Sequence, residues 1–331
     1  MDKILITGGA GFIGGFLAAM LAKQGHSVHL IDNLARGRRD RFLTRLLAEG
    51  KVELLERDLR RADALDDVAD DVTHIFHFAA IVGVPNVLER PYATLRDNVL
   101  LVERALACAR RQRSLQRFVF ASTSEVYGGS LELLHMPIPT PEDTPLALPS
   151  LTRPRTSYML SKLYGEAMVQ HAGVAFTIVR PHNVYGPRMG MLHVVPQLLR
   201  QAHCLADGGV LPVSSVDHRR TFCFVDDAVA MIERAARAPG CSGQVLNVGS
   251  QSPEVSIGEL AMLVQHVVGK RLVIDPQPAT PGSPTRRCPD LSRLTELTGC
   301  RARVGLEDGL RRTYEWYRAA VFDGDEREVA R

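Results

Sequence analysis

The sequence lacks the cysteine patterns of a metal site or a disulfide framework. Its cysteines include no C-x-x-C pair, and no cysteine–histidine cluster has the spacing of metal ligands. They stand at positions 108, 204, 223, 241, 288 and 300. We therefore expect reduced, mostly buried thiols, as is usual in the cytosol, and no bound metal.

The sequence also has little net charge of either sign. Its formal net charge is +3 at pH 7, which is too small to indicate a nucleic-acid or membrane partner. Arginines cluster between Arg36 and Arg45, but no run of aromatic residues accompanies them for stacking on bases. A solvated helix face is therefore favoured over a nucleic-acid patch, and we expect no nucleic-acid partner.

Long hydrophobic runs are nearly absent. The uncharged stretch 4–22 follows Lys3 and so mimics a signal peptide or a membrane span. It carries glycines at positions 8, 9, 11, 14 and 15, and this density suits a tight turn better than an apolar helix of membrane length. We expect no membrane association and a cytoplasmic location.

What the sequence does contain is a regular alternation of strand and helix patterns. Hydrophobic residues make up 45% and charged residues 23%, as in ordinary soluble globular proteins. Short apolar runs predict strands at 3–7, 27–31, 52–56, 73–78, 116–121 and 174–180, and helical patterns occupy 12–24, 38–49, 91–113 and 157–172. The alternation predicts an α/β fold, with a Rossmann doubly wound parallel sheet covered on both faces.

This rhythm changes after Arg180. Residues 181–224 are rich in proline, glycine and histidine, and helical patterns then return at 225–238, 256–268 and 304–319, with a strand-like run at 244–248. We expect a Rossmann domain at 1–180 and a smaller C-terminal α/β substrate lobe at 181–331. Residues 225–250 are expected to pack back on the first domain.

A glycine-rich turn, TGGAGFIG at 7–14, follows the first predicted strand. Its glycines have the spacing G-x-x-G-x-x-G. Gly8 permits a tight turn, Gly11 lets backbone N–H groups approach a pyrophosphate, and Gly14 lets the following helix pack on the strand. The N-terminus of that helix favours phosphate groups. The strand–turn–helix context predicts a dinucleotide site.

An acidic residue, Asp32, ends the second predicted strand. A carboxylate there would accept hydrogen bonds from the adenosine ribose 2′-OH and repel a 2′-phosphate, which favours NAD over NADP. Arg36 and Arg38 keep NADP as an alternative, and a surface turn acid is the other interpretation of Asp32. Asp58 follows the third strand, where it would flank the adenine or cap a helix.

Tyr158 and Lys162 form a Y-x-x-x-K pair on one face of a predicted helix. A free tyrosine has a pKa near ~10, and a nearby ammonium together with a positive nicotinamide would lower that pKa. The phenolate could then take a proton from a substrate hydroxyl while hydride leaves the same carbon. A pair exposed on a helix surface is the alternative.

The fifth predicted strand ends in STSEVYG at 122–128. Ligands sit at the carboxyl ends of parallel strands, where the hydroxyls of Thr123 and Ser124 could bond a reacting oxygen. Glu125 could remove or deliver a proton, or steer an elimination, beside a substrate carbon that has been oxidised to a ketone. Alternatively, Glu125 caps a helix or pairs with an arginine.

Four motifs together resemble the extended short-chain dehydrogenase/reductase family, the NAD-dependent nucleotide-sugar epimerases, dehydratases and decarboxylases. They are TGGAGFIG, STSEVYG, SYMLSKLYGE and RPHNVYGPR. Stretches of the C-terminal half, such as RRTFCFVDD at 219–227 and RCPD at 287–290, are similar to the family as well. The resemblance covers nearly the whole chain and implies NAD as the cofactor.

The resemblance also implies the site residues. The residues implied to bind NAD are Gly8, Gly11, Phe12, Ile13, Gly14, Asp32, Asn33, Asp58, Leu59, Ala79, Ala80, Tyr158 and Lys162. The residues implied to be catalytic are Thr123, Ser124, Glu125, Tyr158 and Lys162. Those implied to bind substrate are Asn183, Arg188, Arg220 and Arg287.

The family shares an opening oxidation at C4 that gives a 4-keto sugar. The Thr-Ser-Glu triplet resembles that of decarboxylases and dehydratases, so dehydration or decarboxylation is favoured over simple 4-epimerisation. A non-catalytic NAD-binding sensor and an NADPH-dependent ketone reductase are further alternatives. The resemblance implies a nucleotide-diphosphate sugar as substrate, most simply a UDP-sugar, and a homodimer formed through the helices at 91–113 and 157–172.

Overall fold

The computed structural model describes residues 1–279 and 282–323. The strands are β1 Lys3–Thr7, β2 Ser27–Asp32, β3 Val52–Glu56, β4 His74–His77, β5 Arg117–Ala121, β6 Phe176–Pro181, β7 Val184–Tyr185, β8 Val210–Ser214, β9 Arg219–Thr221, β10 Cys223–Phe224, β11 Gln244–Val248, β12 Glu254–Ser256, β13 Val273–Gln277 and β14 Arg286–Arg287. The helices are α1 Phe12–Lys23, α2 Arg41–Ala48, α3 Val84–Glu89, α4 Pro91–Arg110, α5 Gly128–Leu133, α6 Pro154–Gln170, α7 Val194–Cys204, α8 Val225–Arg237, α9 Ile257–Val268, α10 Ser292–Thr298 and α11 Leu306–Tyr317.

Seven of these strands form one parallel sheet in the order β3-β2-β1-β4-β5-β6-β11. The chain first winds outward from β1 to β3 and then returns to build the other half from β4. The order therefore reverses between β1 and β4, which opens a crevice at the carboxyl ends of these two strands. The α/β class and the doubly wound sheet predicted from the sequence are confirmed.

Alternate side chains of the strands feed two hydrophobic cores. In β5, Phe118 and Phe120 join the core beneath α4 and α6, whereas Val119 joins the core on the opposite face. That second core runs without interruption from Leu17 of α1 to Leu310 of α11. Helix α8 packs on β5, β6 and β11, and α9 and α11 join the same core through α7, so the C-terminal half shares the core of the sheet.

The second half of the chain follows the predicted order of elements, with additions. The strand-like run at 244–248 is β11, which pairs with β6 and extends the sheet. Helix α7 lies within 181–224, where the composition predicted no helix. It forms because Val195, Leu198 and Leu199 line one buried face, and because Pro196 falls in the first turn, where its missing N–H costs nothing. The domain boundary at residue 180 stays a prediction.

A small sheet in this half brings two arginines together. Strand β9 pairs antiparallel with β12 and parallel with β14, and the register places Arg220 directly beside Arg287. Like charges at facing positions repel, so this pairing needs negative partners nearby. The small sheet therefore carries two adjacent positive charges, at Arg220 and Arg287.

The absences expected from the sequence can be examined over 1–279 and 282–323. No helix in these ranges is long and apolar enough to cross a membrane. The six cysteines are unpaired thiols, and four of them are buried. The cytoplasmic location stays a prediction.

Candidate active site

The glycine turn between β1 and α1 is shaped by close backbone contacts. Gly8 has φ +71°, and a Cβ there would lie 2.6 Å from the backbone nitrogen of Ala79. A Cβ at Gly14 would lie 2.6 Å from the carbonyl oxygen of Gly8. A Cβ at Gly11 would meet only that same oxygen, at 3.1 Å, so the side of Gly11 facing away from the turn is open.

Helix α1 begins at this open face. Gly11 offers no side chain to cap the helix, and the first turn of the helix carries no acidic residue. The N–H groups of Phe12 and Ile13 belong to that first turn and have no intrahelical acceptor. An open cradle with free donors and no competing carboxylate fits the pyrophosphate of NAD. Ala80 follows Ala79 beyond the end of β4, on the same side of the crevice.

Asp32 joins the end of β2 to the glycine turn. Its Oδ2 accepts from the Ala10 N–H at 3.1 Å, and its Oδ1 accepts from the Leu34 N–H at 2.8 Å. The side chain is buried, and burial raises the pKa of this carboxyl, while the two N–H groups and the charge of Arg188 act in the opposite direction. Asp32 is therefore not an exposed turn acid, and its contact with the ribose stays a prediction.

Asp58 lies beside Asn33, whose amide donates to Asp58 Oδ2 at 3.4 Å. Asp58 Oδ1 also accepts from the Arg60 N–H at 2.9 Å, and the Arg60 side-chain hydrogen bond lowers the pKa of Asp58 to about 2. The helix cap considered from the sequence is not formed, because the residues after Asp58 make a turn and no helix begins there. Leu59 packs its side chain into the core beneath α4. The adenine contacts of Asn33, Asp58 and Leu59 stay predictions.

Tyr158 and Lys162 lie one turn apart on α6, as the spacing predicts. Tyr158 is hydrogen-bonded to the Thr123 side chain. The Lys162 ammonium donates to the carbonyl oxygen of Ala121 at 2.8 Å and lies over the Phe120 ring. Burial lowers the pKa of Lys162 to about 8, and the charge of Glu166 acts in the opposite direction. The pair is therefore anchored to the end of β5 and is not an exposed helix-surface pair.

The electrostatics of Tyr158 differ from the sequence-based expectation. Burial raises the pKa of the Tyr158 phenol, and the negative charge of Glu125 raises it further. The hydrogen bond with Thr123 and the charge of Arg36 act to lower that pKa. The expectation assigned this role to Lys162, but its ammonium is turned to the Ala121 carbonyl instead. A positive nicotinamide, when bound, would act in the same direction as Arg36.

The predicted catalytic triplet forms the turn after β5. Thr123 Oγ1 accepts from the Glu125 N–H at 3.2 Å and begins the short 3-10 turn Ser124–Tyr127. Arg287 Nη1 donates to Glu125 Oε1 at 2.8 Å and to Ser124 Oγ at 3.3 Å. The charge of Arg287 lowers the pKa of Glu125, although burial opposes it, so Glu125 is an anion at neutral pH. The arginine pairing considered for Glu125 is present, and its partner is a predicted substrate residue.

Arg220 and Arg287 bring more positive charge to this turn than the negative charge of Glu125 neutralises. Arg287 Nε is buried and has no hydrogen-bond partner among the residues the structure describes. Arg220 donates to Ser283 Oγ at 3.0 Å, and burial together with the charge of Arg287 lowers the pKa of Arg220 to about 10. In the part of the chain that the structure describes, Glu125 is the carboxylate paired with Arg287, whereas Arg220 donates to uncharged oxygens of Arg219, Ser283 and Pro284. The surplus suits an anionic substrate group.

Asn183 and Arg188 flank the short strand β7. Asn183 has φ +40°, and its amide donates to the Thr221 carbonyl at 2.9 Å, next to Arg220 on β9. The guanidinium of Arg188 instead donates to Gly11 O, Ala10 O and Asp40 Oδ2. The structure places Asn183 beside Arg220, where its substrate contact stays a prediction, but places Arg188 against the glycine turn. The implied substrate contact of Arg188 is corrected accordingly, because its donors are already engaged there.

Sequence reasoning missed a buried ion pair behind the catalytic turn. Arg180 donates to Glu166 Oε1 at 2.9 Å and to Oε2 at 2.7 Å, and both side chains are about 95% buried. Glu166 also accepts from the hydroxyl of Ser122, which precedes Thr123. Arg180 further donates to the Tyr127 hydroxyl at 2.8 Å. The signal in the sequence was an arginine at the end of an apolar strand.

Sequence reasoning also missed Asn98, and it considered Arg36 as an indication of NADP but not as a neighbour of Tyr158. Asn98 of α4 accepts from the Ile81 N–H at 2.6 Å and donates to its carbonyl at 3.1 Å, which fixes the segment after Ala80. Arg36 approaches Tyr158 and reaches His193 Nε2 at 3.5 Å, across the crevice. Asn98 could have been found as a polar residue on the buried face of a helix. No metal-type cluster of three acidic, cysteine or histidine ligands occurs in the described ranges.

Comparisons with known proteins agree with this geometry. The family model of the NAD-dependent epimerase/dehydratase family matches residues 4–249. A UDP-N-acetyl-alpha-D-glucosaminuronate decarboxylase of Bacillus cytotoxicus is 30% identical over 328 residues, which cover 96% of this chain and 98% of that protein. UDP-glucuronic acid decarboxylase 1 of Xenopus tropicalis is 31% identical over 332 residues, which cover 96% and 72%.

One solved structure is similar along its full length. TunA, an NAD-dependent NDP-hexosamine 5,6-dehydratase involved in tunicamycin biosynthesis, superposes with a TM-score of 0.81 and is 31% identical. The match covers 98% of this chain and 100% of that one. The relatives thus include both decarboxylases and a dehydratase.

Proposed function

The chain belongs to the NAD-dependent epimerase/dehydratase family, and we propose that it decarboxylates a UDP-activated uronic acid through a 4-keto sugar. The observation that carries this proposal is the pair of guanidinium groups of Arg220 and Arg287, which lie side by side on the small sheet and share Glu125 as a neighbouring negative charge. A forked donor of this kind suits a carboxylate or phosphate of the substrate. The relatives are named as decarboxylases and a dehydratase, so the chain is an enzyme of this class and not a non-catalytic sensor.

The cradle formed by Gly8, Gly11 and Gly14 would hold NAD, with Asp32 toward its adenosine ribose, and the bound cofactor would supply a hydride acceptor and donor for C4. Tyr158 receives the proton of the C4 hydroxyl on its phenol oxygen. Thr123, which is bonded to Tyr158, orients that oxygen and donates to the C4 carbonyl once the carbonyl has formed. These residues thus perform the first half of the reaction.

A uronate becomes a β-keto acid when C4 is a ketone. The bond between C5 and the carboxyl carbon then breaks, carbon dioxide leaves, and the electron pair moves to the C4 oxygen as an enolate. Tyr158 and Thr123 lie where they can hydrogen-bond that oxygen, and C5 afterwards takes up a proton. The positive surplus of Arg220 and Arg287 over Glu125 supports this choice, because a uronate brings a further negative charge to the sugar end.

Loss of water is the second candidate. Glu125 is anionic because Arg287 lowers its pKa, so the carboxylate could accept the C5 proton next to the C4 ketone. The hydroxyl on C6 would then leave as water. The likeness to TunA favours this alternative, whereas a 4-epimerase would need no carboxylate at this position.

A panel of UDP-, dTDP-, GDP- and CDP-sugars separates these outcomes. We expect UDP-glucuronate or a UDP-N-acetylhexosaminuronate to lose carbon dioxide, with the neutral UDP-hexoses unchanged. Mass spectrometry and NMR of the product are the measurements. If a neutral sugar loses water instead, the enzyme is a dehydratase and not a decarboxylase. If the product has the mass of the substrate and an inverted C4, the enzyme is an epimerase.

We further propose that the chain forms a homodimer through α4 and α6. These helices pack against each other on one face of the sheet and carry Tyr92 and Tyr164, which are 74% and 54% exposed. Exposed aromatic residues on neighbouring helices suit a self-complementary contact. Light scattering should give a dimer for the wild type and a monomer for the double variant Tyr92→Glu/Tyr164→Glu. A monomeric wild type at micromolar concentration would refute the proposal.

A further inference from the structure

We propose that Arg188 is a positioning residue for NAD, which holds the cofactor turn from behind and strengthens its phosphate-facing N–H groups. Its Nη2 donates to the Ala10 carbonyl at 3.1 Å and its Nη1 to the Gly11 carbonyl at 3.3 Å. Its Nη2 also reaches the carbonyl oxygen of Arg38 at 3.4 Å. One guanidinium thus ties the glycine turn to the loop between β2 and α2.

The surroundings of Arg188 are built for this side chain. Arg188 Nε donates to Asp40 Oδ2 at 2.6 Å, and both side chains of the pair are 5% exposed. The guanidinium carbon lies 4.7 Å from the centre of the Phe42 ring. A Cβ at Gly15 would lie 2.5 Å from Nη1, so the second glycine of the GG pair at 14–15 leaves the room that the guanidinium fills.

The direction of these bonds matters for the cofactor. The Gly11 carbonyl and the Phe12 N–H belong to one peptide group, so a cation on the oxygen draws electrons away from the nitrogen. Phe12 is the first residue of α1, and its N–H has no acceptor within the helix. The buried charge of Arg188 therefore adds to the positive potential of the helix N-terminus on the side where the pyrophosphate binds.

Asp40 provides a variant in which the effect on NAD affinity should be opposite to that of removing Arg188. Its Oδ1 caps α2 by accepting from the Leu43 N–H at 2.9 Å, and its Oδ2 partly neutralises Arg188. Asparagine is also a good N-cap, so Asp40→Asn keeps the helix start and removes only the negative charge. If Arg188 acts through its charge, this variant should bind NAD at least as tightly as the wild type.

The experiment compares Arg188→Met, Arg188→Lys and Asp40→Asn by titration calorimetry with NAD and, separately, with UDP. We expect Arg188→Met to raise the Kd of NAD by about tenfold with an unchanged Kd of UDP, a change of about 1.4 kcal/mol, within the range of a partly buried charge at a helix terminus. Arg188→Lys should recover part of the loss because it keeps the charge.

Three results would overturn the proposal. The first is NAD binding by Arg188→Met that equals that of the wild type. The second is an equal loss of NAD and UDP binding, which would indicate a general structural role. Weaker NAD binding by Asp40→Asn would show that the ion pair, not the arginine charge, is what matters. NAD binding by Asp40→Asn can still be compared with that of the wild type if Arg188→Met does not fold. None of these readouts depends on which sugar the enzyme converts, so the inference and the proposed function can fail separately.

Discussion

Tyr158→Phe is expected to lower turnover by about a thousandfold and to leave the Kd of NAD within about twofold of the wild type. In the proposed mechanism the phenol oxygen accepts the proton of the C4 hydroxyl, and hydride cannot leave C4 while that proton remains. Phenylalanine keeps the ring in its buried position and removes only the oxygen that Thr123 bonds. Steady-state turnover and NAD titration are the measurements, and near-normal activity would contradict the mechanism.

The control for this variant is Glu125→Gln. It separates the oxidation at C4 from the loss of carbon dioxide or water that follows. Tyr158 acts as a base when ionised, so the rate of C4 oxidation should rise with pH up to the pKa of Tyr158. Burial raises that pKa, and the charge of Glu125 raises it further. Removing the charge should therefore lower the pKa and move the rise in rate to lower pH.

Single-turnover formation of NADH, followed against pH, measures this shift. In Glu125→Gln the oxidation at C4 should persist. Loss of water should slow, because that route uses the Glu125 carboxylate as base, so that NADH and a 4-keto sugar accumulate, whereas loss of carbon dioxide needs no base there and should continue. A rise in rate that moves to higher pH would contradict the assignment, because it would mean that Glu125 assists the ionisation of Tyr158. In Tyr158→Phe no NADH should form at any pH.

The cofactor half of the site was predictable because its determinants are local in the sequence. Gly14 is required by its contact with the Gly8 carbonyl six residues away, and Tyr158 and Lys162 share one helix face, whereas the contact of Gly8 with Ala79 is long-range. Asp32 is farther along the chain, yet it follows from the end of the second strand of a β-α-β unit. Residues that lie within one β-α-β unit or one helix have separations set by that unit, so their relative positions can be predicted from the sequence.

The substrate half was less predictable because it depends on the register of distant strands. Arg220 and Arg287 become neighbours only through the pairing of β9 with β14, and Glu125 reaches Arg287 across 162 positions of sequence. A sequence motif suggested each residue but not the pairing. Arg188 illustrates the limit, because the same motif places Asn183 beside Arg220 and Arg188 against the glycine turn.

Arg180→Met is expected to lower the free energy of unfolding by about 3–5 kcal/mol, the usual cost of leaving one partner of a buried ion pair without the other. Arg180 makes two bonds to Glu166 and one to Tyr127, and it lies behind the turn that carries Thr123 and Glu125. Its loss strands the Glu166 carboxylate in a dry environment, one helical turn from Lys162. Urea unfolding followed by circular dichroism measures the change.

Two matched variants separate the burial of the charge from the loss of an arginine as such. Arg153 also makes two bonds to a glutamate, Glu132, at 2.7 Å each, but these side chains are 53% and 41% exposed. Arg153→Met should therefore cost less than about 1 kcal/mol. The double variant Arg180→Met/Glu166→Met should recover part of the stability that Arg180→Met loses, since it removes the stranded charge as well. If Arg180→Met were no more destabilising than Arg153→Met, the buried pair would not be what holds the catalytic turn in place.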